Sequence, residues 1–216
     1  MAADYRQLAG RFLVLDGPDG GGKSTQLEML ADQLRASGLE VLSVREPGGT
    51  AIGEKIRGIL LDRRHDDMAV ICEMLLYMAS RAQLVAQRIV PALAAGQCVL
   101  ADRFVWSTIA YQGAAGADVE AIRQVAQVAV AGAWPDLTVI LDLPAEAGLA
   151  RLKRDKDRLE QRDQDYHRRV RQSYLDQARQ AGDCAAVIDA SAGPDQVQQA
   201  LRGAVEAWLA RIGPKA

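Results

Sequence analysis

Short apolar runs and longer helical patterns alternate along the whole chain. The runs lie at 11–16, 40–45, 97–102, 137–143 and 185–189, and several end on or beside a charged residue: Asp16, Arg45, Asp102 and Asp142. Each reads as a strand, and the high aliphatic content with few aromatics suits a parallel sheet covered by helices. Between them, apolar residues recur at i, i+3, i+4 and i+7. That spacing predicts helices over 23–37, 50–62, 68–94, 118–132, 144–155, 159–181 and 194–211. Strands alternating with helices predict an α/β fold with a five-stranded parallel sheet, right-handed crossovers and helices on both faces. In such sheets ligands lie outside the carboxyl ends of the strands, so the charged strand ends mark where to look for chemistry.

Composition narrows the picture. The 216 residues suffice for one sizeable domain, read as a single unit over 1–216. A net charge of −2 calls for neither nucleic acid nor a membrane surface. No apolar stretch approaches about 18 residues, and the first residues do not resemble a secretion signal. Cys72, Cys98 and Cys184 are odd in number and widely spaced, and His65 and His167 add no zinc spacing. Reduced thiols in a cytoplasmic protein are the expectation.

The most specific chemistry follows the first strand. Gly17-Pro18-Asp19-Gly20-Gly21-Gly22-Lys23-Ser24-Thr25 contains G-x-x-x-x-G-K-S between a strand and a helix. That is the context of a phosphate-binding loop, or P-loop. Its backbone N–H groups converge on phosphate oxygens, and the helix N-terminus adds positive potential. Lys23 reaches the β/γ-phosphates, and Ser24 is a ligand for Mg²⁺.

Four further segments carry candidate groups. Arg45-Glu46-Pro47-Gly-Gly-Thr follows the second strand, with Arg57 eleven residues beyond Glu46; it is either an exposed strand-to-helix turn or part of a second-substrate wall. Tyr77 and Arg81 are four apart and share a helical face. They are a core tyrosine with a solvated arginine, or a base-stacking ring beside a base-reading guanidinium. Asp102-Arg103-Phe104 ends the third strand, with Ser107, Thr108, Tyr111 and Gln112 within two turns. Asp102 is placed to hold Mg²⁺ through water and Arg103 to pair with phosphate, unless the two form a structural ion pair. Finally, residues 151–171 hold nine Lys/Arg against five Asp/Glu. Such a run is a solvated helix or a basic lid, near 151–162, that brings arginine to a phosphoryl group.

Together these motifs resemble the bacterial thymidylate kinases, in the nucleoside monophosphate kinase group of P-loop kinases, over about residues 11–190. The resemblance rests on the loop with Asp19 at its third position, R-E-P-G-G-T, L-L-Y-x-x-x-R, D-R-F-x-x-S-T-x-x-Y-Q-G and D-R-L-E. It implies transfer of phosphate from ATP to dTMP with Mg²⁺, as a homodimer. It implies that Asp19 meets the 3′ side of the acceptor deoxyribose, and that Arg45 and Arg103 lie near the acceptor phosphate with Glu46 beside it. Pro47, Arg57 and Gln112 would line the acceptor pocket, Tyr77 would lie on the thymine ring, and Arg81 would bond a thymine carbonyl. Ser107, Thr108 and Tyr111 would complete the sugar and base site. Because the loop itself carries no arginine, Arg151, Arg154 and Arg158 would supply the catalytic one, with Arg151 also near the adenine. The motif reads D-R-F where D-R-Y is usual, so any hydroxyl contact at Phe104 is absent. The alternatives are a kinase for another nucleoside monophosphate and a P-loop nucleotide switch or ATPase.

Overall fold

The computed structural model describes residues 4–152 and 157–212. Five strands form one wholly parallel sheet: β1 (Phe12–Asp16), β2 (Val41–Arg45), β3 (Cys98–Asp102), β4 (Leu137–Asp142) and β5 (Ala185–Asp189), in the order β2-β3-β1-β4-β5. The expected α/β architecture is therefore present, and each strand lies within one residue of its sequence-predicted run. Every residue of β1 is buried. β1 sits between β3 and β4, the point where the winding of the sheet reverses, so the loop after it opens into the crevice between diverging connections.

The helices are α1 (Lys23–Ala36), α2 (Ala51–Leu61), α3 (Val70–Leu84), α4 (Val90–Ala94), α5 (Val105–Ala114), α6 (Val119–Val130), α7 (Ala145–Arg151), α8 (Gln164–Ala181) and α9 (Pro194–Ile212). On one face of the sheet α1 and α9 bury Leu30, Leu34, Leu201 and Trp208 against Leu13, Leu100 and Val139. On the other, α3 to α6 bury Met74, Met78, Ile89, Ile109 and Ile122 against Phe12, Val14 and Val99. α8 closes the second face over α5, with Tyr166, Val170 and Tyr174 against Tyr111 and Ile140.

Three helical expectations are corrected. The helix expected over 68–94 is continuous from Val70 but widens into a π-helical turn at Val85–Ile89 just before Pro91. Proline lacks an N–H and its ring crowds the carbonyl four residues back, and a widened turn relieves both. The helix expected from 159 starts only at Gln164, because Asp163 accepts a hydrogen bond from Tyr166 N at 2.7 Å and caps it. The helix expected over 144–155 ends at Arg151, where Leu152 turns to extended backbone (φ −73°, ψ 109°); residues 153–156 lie outside the described residues. Asp157 Oδ1 takes the N–H groups of Leu159 and Glu160, each at 3.0 Å, so D-R-L-E is a turn rather than helix.

One helix escaped the sequence pattern. α5 buries Val105, Ile109 and Ala110 on one side and Thr108, Tyr111 and Gln112 on another. A helix covered on both sides has no polar stripe to announce it.

Candidate active site

The Gly17–Thr25 segment turns sharply from β1 into α1. Gly20 has φ 75°, and a Cβ there would lie 2.1 Å from the Gly148 carbonyl oxygen of α7. Reciprocally, a Cβ on Gly148 would lie 2.2 Å from Asp19 O. Two backbones thus touch where only glycine fits, and this contact fixes the height of the loop. Gly148 carries no motif, so sequence reading missed it.

Lys23 is buried, and its Nζ donates to Gly17 O at 3.1 Å and Pro18 O at 2.7 Å. Burial, reinforced by the nearby Arg103 guanidinium, pulls its pKa down to about 8. A polyphosphate seated on the loop reverses that penalty, so binding at pH 8 should draw about half a proton onto Lys23. Titration calorimetry with ATP at pH 8, in buffers of differing ionisation enthalpy, should show net proton uptake in the wild type. Lys23→Met should abolish it, and equal uptake by the two proteins would place the proton elsewhere.

Ser24 Oγ donates to Asp102 Oδ2 at 2.5 Å, so the first residue past the P-loop lysine meets the end of β3. Among the described residues no group of three or more His, Cys, Asp or Glu converges to make a complete metal cage. One hydroxyl and one carboxylate beside a phosphate cradle nonetheless suit Mg²⁺, which takes few protein ligands and fills its shell with water and phosphate oxygens.

Arg103 links the loop to the second wall. Its backbone is left-handed, φ 73°, a conformation costly for a residue with a side chain. Its guanidinium donates to Gly17 O at 3.1 Å, Ser107 Oγ at 3.1 Å, Tyr174 OH at 3.0 Å and Tyr111 OH at 3.2 Å, and pairs with Asp19. Tyr111 OH in turn donates to Asp19 Oδ2 at 2.5 Å. Burial alone would push the Asp19 carboxyl up, but Arg103 and Lys23 outweigh it and hold the group below its ordinary range. Tyr174, on α8, is a partner of this cluster that no sequence motif marked.

These groups line one cavity of about 390 Å³. The loop contributes Asp19, Gly20, Gly22, Lys23, Ser24 and Thr25, and β3 with α5 contribute Asp102, Arg103, Ser107, Thr108, Tyr111 and Gln112. Arg45, Glu46, Pro47 and Arg57 form the wall after β2, with Arg57 donating to Pro47 O at 2.9 Å. Tyr77 of α3 lines it as well, so the strand-to-helix turn and the α3 tyrosine both face the cavity. Leu152, Asp157, Leu159 and Glu160, from the segment expected near 151–162, complete the lining together with Leu61, which was not foreseen.

Other expected residues stand apart. Gly17, Pro18 and Gly21 shape the loop without lining the cavity. Arg81 is 1% exposed and spends its donors on Glu46, Met78 Sδ, Thr108 Oγ1 and Phe104 O, leaving none directed at a base. Glu46 is therefore held from behind by a buried arginine; burial pushes its carboxyl up to about 7 against the pull of Arg81. Phe104 stacks edge-on against Phe12 inside the core, an apolar setting in which a tyrosine hydroxyl would have no wet exit. Arg151 donates to Ala190 O and Ser191 O, both at 2.8 Å, which ties it to the turn after β5. Arg158 is buried against Glu73 rather than turned to the loop. Arg154 lies outside the described residues. Asp142, at the end of β4, is clamped by Arg171 of α8 through two bonds of 2.7 Å.

With this geometry in place, comparison with known proteins is specific. The thymidylate kinase family model matches residues 15–201. The thymidylate kinase of Pelotomaculum thermopropionicum is 46% identical over 188 residues, covering 85% of this chain and 87% of the relative. That of Desulfovibrio desulfuricans is 42% identical over 212 residues, covering 94% and 98%. That of Alcanivorax borkumensis is 44% identical over 207 residues, covering 93% and 100%. Among solved structures, a thymidylate kinase from Ehrlichia chaffeensis superposes with a TM-score of 0.76 at 27% identity, covering 92% of this chain and 99% of that one.

Proposed function

Because the chain belongs to the thymidylate kinase family, it is an enzyme that phosphorylates dTMP with ATP, and we propose that it does so in the cavity at the carboxyl ends of β1 and β3. The observation that carries this placement is the meeting of a phosphate loop with Arg45, Arg57 and Arg103 around one cavity. A phosphate cradle alone fits any NTPase. A second set of cations facing it fits an anionic acceptor.

An oxygen of the acceptor phosphate attacks the γ-phosphorus of ATP, the bond to the β–γ bridging oxygen breaks, and ADP leaves. The acceptor is already an anion, so no general base is required, and catalysis consists of alignment and charge neutralisation. The loop N–H groups and Lys23 hold the β/γ-phosphates. Arg103, braced by Ser107, Tyr111, Tyr174 and Asp19, orients the acceptor phosphate with Arg45 and Arg57. Tyr77, Thr108 and Gln112 enclose the base. Ser24 and Asp102 would hold Mg²⁺, which when bound neutralises charge on the β- and γ-oxygens.

Several finer readings belong to the same proposal. Residues 1–216 form a single kinase domain, supported by one continuous sheet, and 151–162 form its lid, supported by Leu152, Asp157, Leu159 and Glu160 at the cavity. Arg151 and Arg154 remain the candidate lid arginines, since the Arg158 guanidinium is taken up by Glu73 and Leu60 O. The enzyme works as a homodimer, supported by exposed Ile52 and Ile59 on α2, Ile71 and Leu75 on α3 and Val128 on α6. A cytoplasmic setting suits the free cysteines Cys72, Cys98 and Cys184; among the described residues no helix is long and apolar enough to cross a membrane.

The test is ADP formation from ATP with and without dTMP, then with a panel of other nucleoside monophosphates. ADP should appear only with an acceptor and fastest with dTMP. Steady hydrolysis that ignores dTMP would favour the nucleotide-switch reading, and a faster purine monophosphate would move the base assignment.

A further inference from the structure

Glu73, on α3, belongs to none of the motifs above and lies outside the cavity lining, yet it is 1% exposed, and its two carboxylate oxygens serve two different walls. Oε1 accepts from Gln112 Nε2 of α5 at 2.5 Å. Oε2 accepts from the Arg158 guanidinium, which also donates through Nε to Leu60 O at the end of α2, at 3.2 Å. Arg158 stands on the 157–160 turn, whose Asp157, Leu159 and Glu160 line the cavity.

The chemistry of this chain of contacts is directional. An ionised carboxylate only accepts hydrogen bonds, so it fixes which end of the Gln112 amide faces it: the NH₂. The amide oxygen is left for the cavity that Gln112 lines, and it accepts no bond from the described residues. Arg158 supplies the charge opposite to the buried Glu73 carboxylate. A ligand placed against Gln112 therefore meets an acceptor that cannot turn into a donor without breaking a charge-assisted bond.

We propose that Glu73 is the positioning residue that sets acceptor-base specificity, by locking Gln112 with its amide oxygen toward the base through the Gln112–Glu73–Arg158 chain. A pyrimidine whose ring nitrogen carries an N–H, as in thymine or uracil, satisfies that oxygen. A pyrimidine whose ring nitrogen is itself an acceptor, as in cytosine, meets it lone pair to lone pair. This rests on the reading that Gln112 faces the acceptor base. It adds that discrimination resides in a residue that never touches the substrate, and that the turn bearing Arg158 sustains it.

The experiment measures Kd for dTMP and dCMP by titration, and kcat/KM for both, in wild type, Glu73→Gln, Glu73→Gln/Arg158→Gln and Gln112→Ala. A glutamine at 73 can donate or accept, so the Gln112 amide is no longer held one way. The dTMP-to-dCMP ratio should narrow about tenfold or more in Glu73→Gln, in Kd as well as in kcat/KM, with the KM for ATP unchanged. The double variant removes both buried charges together, and its dTMP-to-dCMP ratio of Kd values should narrow in the same way should the single variant fail to fold. A folded Glu73 variant that keeps the wild-type ratio, while Gln112→Ala loses it, overturns the role of Glu73 alone. An unchanged ratio in Gln112→Ala overturns the placement of the base on which the proposal stands.

Discussion

Lys23→Ala is expected to lower kcat by about 10²–10³, the usual cost of removing one preorganised charge contact, about 3–4 kcal/mol, from a phosphoryl-transfer transition state. The fold should survive. Lys23 is a buried cation beside Arg103, pressed toward its neutral form, so its charge opposes the folded state rather than holding it together. What it supports locally are the Gly17 and Pro18 carbonyls, within reach of water entering the cavity once the side chain is gone. Single-turnover kinetics at saturating ATP and dTMP separate the lost chemistry from lost binding. A thermal melt checks that the midpoint is no lower than in the wild type. Wild-type turnover by a folded Lys23→Ala protein would remove the loop from the mechanism.

Arg81→Ala should be the more damaging change to stability, at about 3–5 kcal/mol, because it leaves Glu46 buried without its counter-charge. The sign of its pH dependence follows from Glu46. That carboxyl already titrates at about 7 in the folded protein, above the value near 4.5 of a free glutamate, so it holds its proton more tightly folded than unfolded. Stability therefore falls as pH rises between those two values. Without Arg81 the folded-state pKa climbs further, and the falling window extends to higher pH. Urea unfolding at pH 5.5 and pH 8 should show a small deficit for Arg81→Ala at the lower pH and a large one at the higher. Adding Glu46→Gln should recover most of the loss at pH 8. A deficit equal at both pH values would mean that Glu46 is not its source. Arg81 thus holds Glu46 in place behind the turn that follows β2.

Much of the site was legible because its chemistry is local. The strand, Gly17–Thr25 and helix are consecutive, and the physics that makes a P-loop acts within nine residues. Asp102 and Arg103 could be assigned to the site because a parallel strand delivers its carboxyl end to the same edge as β1. The inner strands β1, β3 and β4 were visible as short apolar runs, which burial between two helical layers requires, while β2 and β5 at the sheet edges are only partly buried. Where the pattern misled, the cause was a side chain acting on the backbone: Asp163 capping α8 late, Asp157 folding D-R-L-E into a turn, and Pro91 forcing a wider turn behind it. α5 was missed because helices cover both of its sides.

The sequence by itself determined the sheet, the phosphate loop, the family and most of the polar residues that line the cavity, since each depends on periodicity or on contiguous motifs. Only the tertiary structure decided how those polar residues spend their hydrogen bonds. Arg81 turns to Glu46, Arg158 to Glu73, Gln112 gives its amide nitrogen to Glu73, and Gly148 lies against the loop from more than a hundred residues away. A buried guanidinium or carboxylate takes whichever partner repays its lost hydration, and that partner is set by which helices the sheet brings together, a relation that no spacing along the chain encodes.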